Sequence, residues 1–364
     1  MILVDNNFFK QKIKASALPM FFGIWGFFFM TSCDNAPQKL LIRGEAQGTT
    51  YAITYFDASG IDMKTKVDSL LLDIDYSLST YRSNSIISKF NSLDSGAFNY
   101  LDTFGHFNTV LGASMVIHEQ SLGAFDPTVK PLVDAWGFGL TKAEEMDSMK
   151  VDSLVSLRGF DTSGFILNTN SLESFFVSGK EKMSYIKRKI GLQIDFNAIA
   201  QGYSVDQIGL LFRSKGFENV LIEVGGEMLA LGSKLDGSPW SVGIDRPTEG
   251  ERELEAILDL KDEAIATSGN YRKFYIKDGV KYSHTIDPNS GFPVQHSLLS
   301  ATVIAKDAAT ADALATVFMV MGKEKSIAWA QANRPEINYF LISSMEDGSF
   351  ETTASEGLIA QSVD

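Results

Sequence analysis

The period of apolar positions changes several times along the chain. Residues 49–56 are rich in Thr, Tyr and Ile and predict a strand. Val67, Leu70, Leu71 and Ile74 fall at helical spacing, and a second helix is expected over part of 103–120. Residues 141–193 carry scattered charges with Ser, Thr and Asn and show no clear period. Val205, Ile208 and Leu211 or Phe212 mark a further helix, closed near Gly216. A strand-rich half follows, with expected strands at 219–224, 227–232, 240–244, 255–260, 271–276, 280–285 and 298–305. Ala308 to Met321 is an Ala-rich helix stopped by Gly322, and 337–343 reads as a last buried strand. Strands and helices mix without βαβ alternation. The pattern predicts an α+β fold of mixed sheets with packed helices, not a doubly wound one. No fixed-period repeat interrupts it.

Composition narrows the chemistry. The chain of 364 residues is long enough for one large domain or two smaller ones. Its net charge is −13, and Lys10, Lys12 and Lys14 against Asp5 give the first 33 residues +2, so the remainder carries −15. So acidic a body, with no basic run, argues against a nucleic-acid partner, because phosphate contacts need Lys and Arg. Cys33 is the only cysteine, which excludes an intrachain disulfide and a thiol-rich metal site. With four histidines, any metal leans on oxygen ligands, which suit Mg²⁺, Ca²⁺ or Mn²⁺.

The amino terminus reads as an address. Three lysines precede an uncharged apolar stretch from Ala15 to Ser32, which ends Met30-Thr31-Ser32-Cys33. Small residues before cysteine resemble a bacterial lipoprotein cleavage site, with Cys33 lipidated. An uncleaved anchor is the other reading. Both place the body outside the cytoplasm on a membrane tether, at the periplasmic face. The expected organisation is a signal and lipobox over 1–33, a linker over 34–40 and a catalytic domain over 41–364.

Several segments carry candidate chemistry. On the 308–321 helix, Asp312 and Thr316 are i and i+4 and share one face. A buried carboxylate needs a partner, so a metal ligand and a helix-start residue favoured by the macrodipole stand as equal readings. In Ser283-His284-Thr285-Ile286-Asp287-Pro288, a turn follows a strand, and His284 with Asp287 could form a base and its orienting partner. A structural histidine is the plainer reading. Asp195-Phe196-Asn197-Ala198-Ile199-Ala200-Gln201-Gly202 is expected to run from a strand into a helix. There, backbone N–H groups can hold a pyrophosphate, or Asp195 simply caps. Glu223-Val224-Gly225-Gly226-Glu227 is a tight turn between strands. Gly123-Ala124-Phe125-Asp126-Pro127-Thr128 and Thr267-Ser268-Gly269-Asn270-Tyr271-Arg272 are expected as polar loops at element ends, and Tyr81 offers a ring for stacking.

In this order, together with Gly48-Thr49-Thr50-Tyr51 and Val129-Lys130-Pro131-Leu132-Val133-Asp134-Ala135-Trp136-Gly137-Phe138-Gly139, the segments resemble the FAD:protein FMN transferases, the ApbE family of flavin transferases. The likeness spans roughly 44–343. It implies one large T-fold-like catalytic unit that binds FAD and Mg²⁺, moves FMN onto a Thr or Ser hydroxyl of an acceptor protein, and releases AMP. It implies metal ligands at Asp312 and Thr316, with the Ala198 carbonyl contributing and Ala315 close by. It implies flavin-nucleotide contacts at Gln47, Tyr81, Ala124, Phe125, Asp126, Asp195, Gln201 and Ile286. Gln47 stands where the family usually has Met, and Gln201 and Asn197 where Lys and Gly are frequent. His284 is the candidate proton acceptor. The implied acceptors are extracytoplasmic subunits of flavin-dependent electron-transport complexes, of the sodium-pumping NADH:quinone oxidoreductase or Rnf type. Two other functions remain compatible with the residues: Mg²⁺-dependent cleavage of FAD to FMN and AMP with water as nucleophile, and non-enzymatic FAD binding by a tethered lipoprotein.

Overall fold

Alternating side chains build a central antiparallel sheet whose two faces bury different partners. The structure, a computed structural model, describes residues 36–161, 164–167, 176–177, 180–248, 253–270, 274–277 and 280–362. The leader with Cys33, the first part of the 34–40 linker, and Tyr271 and Arg272 lie outside the described residues.

The strands in chain order are β1 (Gln38–Ala46), β2 (Thr49–Asp57), β3 (Gly96–Asp102), β4 (Phe165–Leu167), β5 (Phe176–Val177), β6 (Lys180–Lys187), β7 (Val220–Val224), β8 (Glu227–Leu231), β9 (Trp240–Asp245), β10 (Leu254–Leu260), β11 (Glu263–Gly269), β12 (Phe274–Lys277), β13 (Val280–Ser283), β14 (Leu298–Ala305), β15 (Asn338–Ser344), β16 (Phe350–Ala354) and β17 (Ala360–Ser362). The helices are α1 (Lys64–Leu78), α2 (Ile86–Ser92), α3 (His106–Gln120), α4 (Lys130–Ala135), α5 (Ser148–Val155), α6 (Ala200–Ser214), α7 (Ala308–Met321) and α8 (Lys323–Asn333). Eight strands form the main sheet in the order β1-β2-β7-β8-β11-β14-β15-β16. Every pairing between these strands is antiparallel, as an α+β fold built from hairpins requires.

One face of this sheet packs on helices. Ile53 of β2, Ile222 of β7, Leu229 of β8 and Ala264 of β11 point to Val67 and Leu71 of α1 and to Val205, Ile208 and Phe212 of α6. Ala301 and Val303 of β14 and Leu341 of β15 point to α7. The intervening residues face the other way. Ala230, Ile265, Ile304, Phe340 and Ile342 meet Trp240 and Leu258 of the small β17-β10-β9 sheet. Cover on both faces explains why β14 reads as a nearly unbroken apolar run.

The elements expected at 49–56, 205–212, 298–305, 308–321 and 337–343 are present within a few residues of their expected limits. Three expectations change. Residues 38–40, placed in the linker, begin β1, which pairs with β2 from Gln38↔Asp57 to Ala46↔Thr49. Thr267 and Ser268, placed in a loop, lie in β11 at the centre of the sheet. The stretch before α6, expected as a strand, takes no place in any sheet. Asn91 holds it instead, through Asn91 Nδ2 to Ile194 O at 2.9 Å and Ile194 N to Asn91 Oδ1 at 2.8 Å.

Candidate active site

The site begins where α6 crosses α7. Gly202, in the first turn of α6, leaves no room for a side chain: a Cβ would overlap the carbonyl oxygen of Ala308 and sit 2.9 Å from Ala309 Cα. That close approach brings the Gly202 N–H to 3.1 Å from Asp312 Oδ2. The N-cap of α6 is Ile199, whose side chain caps nothing, so the carboxylate of Asp312 satisfies a donor that the helix start leaves open.

Asp312 is not the cap of its own helix. Asp307 takes that place, accepting from Thr310 N at 2.8 Å. Asp206, reaching over from α6, accepts from Ala308 N at 2.8 Å and Ala309 N at 2.9 Å. Asp312 sits beyond this first turn and is 5% exposed. Burial, the nearby Glu227 and Asp206 together hold its carboxyl well above the usual carboxylate range, against the opposing pull of the Gly202 N–H. One turn on, Thr316 Oγ1 lies 3.4 Å from Ser268 Oγ of β11, and Ala315 is fully buried beside it. Ala198 lies four residues before Gly202, in the turn that leads into α6.

This donor set fits a hard divalent cation. It is made of oxygens, and its charge is crowded in a way that a cation would relieve. No cluster of three or more His, Cys, Asp or Glu suited to a metal occurs among the described residues. A site here is therefore sparse, with coordination positions left for phosphate oxygens and water, as Mg²⁺ prefers.

A second group of predicted residues gathers at the corner above α6. Gln47 (φ 55°) and Gly48 (φ 73°) form the two-residue β1–β2 turn, and both take the positive φ that such a hairpin needs. The Gln47 Nε2 donates to Ser204 Oγ of α6 at 2.7 Å, which ties the turn to that helix. Gly225 (φ 66°) lies against the Gln201 side chain, and a Cβ there would collide with Gln201 Nε2 and stand 3.0 Å from Thr49 Cγ2.

A third group holds the loops around 123–130. The carboxylate of Asp126, almost fully buried, accepts from Thr128 N at 2.8 Å and Thr128 Oγ1 at 2.6 Å, and pairs with Arg158 Nη1 at 3.1 Å. Ala124 and Phe125 are buried. The Phe125 backbone is engaged on both sides, by Ser121 Oγ at its N–H (3.1 Å) and by His118 Nδ1 at its carbonyl (2.8 Å). Asp195 is joined to this loop by its own N–H, which donates to Pro127 O at 2.8 Å. Its carboxylate accepts from Asn197 N at 2.6 Å and Asn197 Nδ2 at 3.1 Å, so it shapes a local turn and does not cap α6. Burial raises the Asp195 carboxyl above its ordinary value, while the neighbouring Lys130 works against the rise.

The 284–293 turn closes this side. Ile286 is buried and forms a bridge with Pro293. Trp136 Nε1 donates to Gly291 O at 2.9 Å, and Thr285 Oγ1 donates to Asn270 Oδ1 at 2.7 Å, just past β11. His284 directly follows β13, half-buried, with its ring 6.4 Å from that of Phe138. The Asp287 carboxylate accepts from Asn289 N at 2.9 Å and Ser290 N at 3.4 Å, so it structures the turn after His284. Tyr81, 70% exposed, lies in the loop between α1 and α2, and its ring is open to a ligand. Sequence reasoning missed Asp206 and Arg158. Asp206 lies four residues after Gly202 on the same helix face, a spacing that marks it as a neighbour of the site. Arg158 has no local signal.

An acidic helix crossing beside loops tied down by backbone and side-chain hydrogen bonds defines the class: an α+β protein whose oxygen donors would suit a hard cation. Comparison with known proteins gives the family. The profile of the ApbE family matches residues 47–341. The chain is 34% identical over 330 residues to the FAD:protein FMN transferase of Vibrio cholerae, covering 90% of this chain and 94% of that one. It is 31% identical to that of Escherichia coli K12, covering 90% and 92%. Among solved structures, the flavin transferase ApbE of Vibrio cholerae superposes with a TM-score of 0.72 at 33% identity, over 88% of this chain and 98% of that one. The apo flavinyl transferase ApbE of Pseudomonas stutzeri gives 0.73 at 31% identity, over 88% and 96%. The chain belongs to the ApbE family.

Proposed function

We propose that this protein transfers the FMN half of FAD to a Thr or Ser hydroxyl of an acceptor protein and releases AMP. The observation that carries the reading is the buried Asp312 carboxylate, placed at the helix crossing with Thr316 and Ser268 one turn away. A structural carboxylate would gain nothing from burial beside Glu227 and Asp206. In the proposed assignment, Asp312, Thr316 and the Ala198 carbonyl hold Mg²⁺, with Ala315 packed behind them. When bound, the ion neutralises charge on the pyrophosphate oxygens.

The remaining work falls to the chain's own groups. The positive end of the α6 dipole faces phosphate charge. Tyr81 stacks on the flavin, and Gln47, Gln201, Asp195, Ile286 and the 124–126 loop line the nucleotide. The acceptor hydroxyl oxygen bonds to the FMN phosphorus, and the bond from that phosphorus to the bridging oxygen breaks. AMP leaves with the bridging oxygen, and FMN stays on the acceptor as a phosphodiester. His284 takes the hydroxyl proton and passes it to solvent. The acceptors in this reading are extracytoplasmic subunits of electron-transport complexes, of NADH:quinone oxidoreductase or Rnf type. Lipidated Cys33 keeps the enzyme at the periplasmic face of the membrane beside them.

The test is incubation with FAD and Mg²⁺, with and without such an acceptor, followed by mass spectrometry of the protein and analysis of the nucleotides. Transfer predicts flavin on the acceptor and AMP in equal amounts. FMN and AMP released at the same rate without acceptor would instead identify a hydrolase. Intact FAD in every arm, bound equally well by Asp312→Ala, would leave only a flavin-binding protein.

A further inference from the structure

Two polar contacts, not one, relate α6 to α7. Gly202 N–H reaches Asp312 Oδ2, and one turn further along α6 the Asp206 carboxylate spans Ala308 N and Ala309 N. Residues 308–309 lie one turn before Asp312 on α7. The two helices therefore run antiparallel at the crossing, clamped at two points about 5.4 Å apart along the axis. A single contact would let α7 turn or slide. A slip of one residue rotates a helix by about 100°, which would carry Asp312 off the Gly202 amide and Thr316 off Ser268.

The cap made by Asp206 is not required simply to start the helix. Asp307 already caps α7 from within, through Thr310 N, and Ala311 N donates to the Asp307 carbonyl. One side-chain cap is the usual provision for a helix start. The second carboxylate comes from another helix, 102 residues away in sequence, and is withdrawn from water to make its contacts. That desolvation is unfavourable, and it is explained if the contact fixes geometry.

We propose that Asp206 is the positioning residue of the cation site: its carboxylate sets the register and rotation of α7 against α6, so that Asp312 stays on the Gly202 amide and Thr316 on Ser268. This rests on the metal assignment above for its functional consequence, but the clamp itself can be read without metal. The test compares Asp206→Asn with Asp307→Ala, which removes a cap from the same helix end whose hydrogen bond, to Thr310 N, stays within α7. The first reading is residue-level hydrogen exchange at the Gly202 amide in the metal-free protein. The second is the Mg²⁺ concentration that half-maximally raises the thermal midpoint in the presence of FAD. Asp206→Asn is expected to speed Gly202 exchange and to raise that Mg²⁺ concentration by about tenfold or more, the usual effect of losing a group that orients a metal ligand. Asp307→Ala is expected to lower the thermal midpoint but to keep both readings within about twofold of the parent. Asp206→Glu keeps the charge but displaces the carboxylate by one methylene, and is expected to behave like Asp206→Asn. Unchanged Gly202 exchange in the Asp206 variants, or equal shifts in Asp206→Asn and Asp307→Ala, overturns the proposal. A parent protein that does not respond to Mg²⁺ refutes the metal assignment alone, and the exchange reading still decides the clamp.

Discussion

Gly202 gives its amide to the Asp312 carboxylate across a helix crossing too close for any side chain. The absence of a Cβ and the hydrogen bond are two aspects of one geometry. Gly202→Ala should therefore do two things together. The methyl group meets backbone of α7, which cannot rotate away, so stability should fall by about 1–3 kcal/mol or more. The forced separation also withdraws the amide from Asp312, so FMN transfer should fall far more than the loss of folded protein explains. Urea unfolding and transfer assays on the same preparation check this. Full activity in the folded fraction would show that the crossing distance is immaterial to the site.

Asp312 sets function against stability. Its carboxyl lies well above the ordinary range, and the Asp206 carboxyl is pushed up to about 7, mainly by burial in both cases. Each group binds its proton more tightly in the folded than in the unfolded chain. The stability they contribute is present in full below about pH 4 and is lost as pH rises through the folded value of each group, about 7 for Asp206. Metal-free protein should accordingly become less stable between pH 5 and pH 8. Asp312→Asn keeps an acceptor for the Gly202 N–H but carries no charge, so it should flatten this decline and raise the thermal midpoint at pH 8. The same variant should lose Mg²⁺-dependent transfer. Thermal midpoints at four pH values in the presence of a chelator provide the measurement. A decline as steep as that of the parent would mean that Asp312 does not titrate in this range.

How much of this was legible follows from how local each signal is. The 308–321 helix announced itself through alanines and a terminal Gly322, and the i, i+4 pairing of Asp312 with Thr316 was visible on it. Its cap-or-ligand ambiguity was not resolvable, because the true caps are Asp307 and a carboxylate 102 residues away. β11 was missed because its inward residues, Ala264 and Ala266, are small enough to let α7 approach, and small residues carry little strand signal. The start of β1 falls in the expected linker because it is an edge strand whose burial alternates only between exposed and half-buried. The order of the 123–128, 195–202 and 283–288 segments was plain in the sequence. That Asp195 is held by Pro127 and Ile194 by Asn91 was not, since neither contact leaves a periodic trace.

Arg158 supports the 124–128 loop from a segment that showed no pattern. Its guanidinium pairs with the buried Asp126, and the next residue, Gly159, donates its N–H to Thr128 Oγ1 at 3.2 Å. Replacing Arg158 with Met leaves Asp126 as a buried charge with only its hydrogen bonds to Thr128. A loss of about 3–5 kcal/mol is expected for breaking such a pair. Because Asp126 anchors the loop assigned to the nucleotide, the KM for FAD should rise while the kcat of the folded enzyme stays near that of the parent. Arg158→Met with Asp126→Asn restores neutrality and should recover part of the stability. A double variant no more stable than Arg158→Met would show that the charge pair is not what holds this loop.

His284 carries the least constrained of the proposed roles, and its surroundings make the role testable. The residue directly follows β13, faces the Phe138 ring edge, and precedes a turn that Asp287 structures through the amides of Asn289 and Ser290. Asp287 holds the turn through those two amides, so His284→Ala should fold with the turn in place. If His284 takes the acceptor proton, the variant should bind FAD and Mg²⁺ like the parent and lose about 10²–10⁴-fold in transfer rate, the usual worth of a positioned base. Raising the pH should restore part of that rate, because hydroxide and external bases then remove the proton. Asp287→Ala should behave differently, loosening the turn and lowering the thermal midpoint along with the rate. Near-normal transfer by His284→Ala at saturating Mg²⁺ would assign the proton to solvent and leave the histidine a packing residue against Phe138.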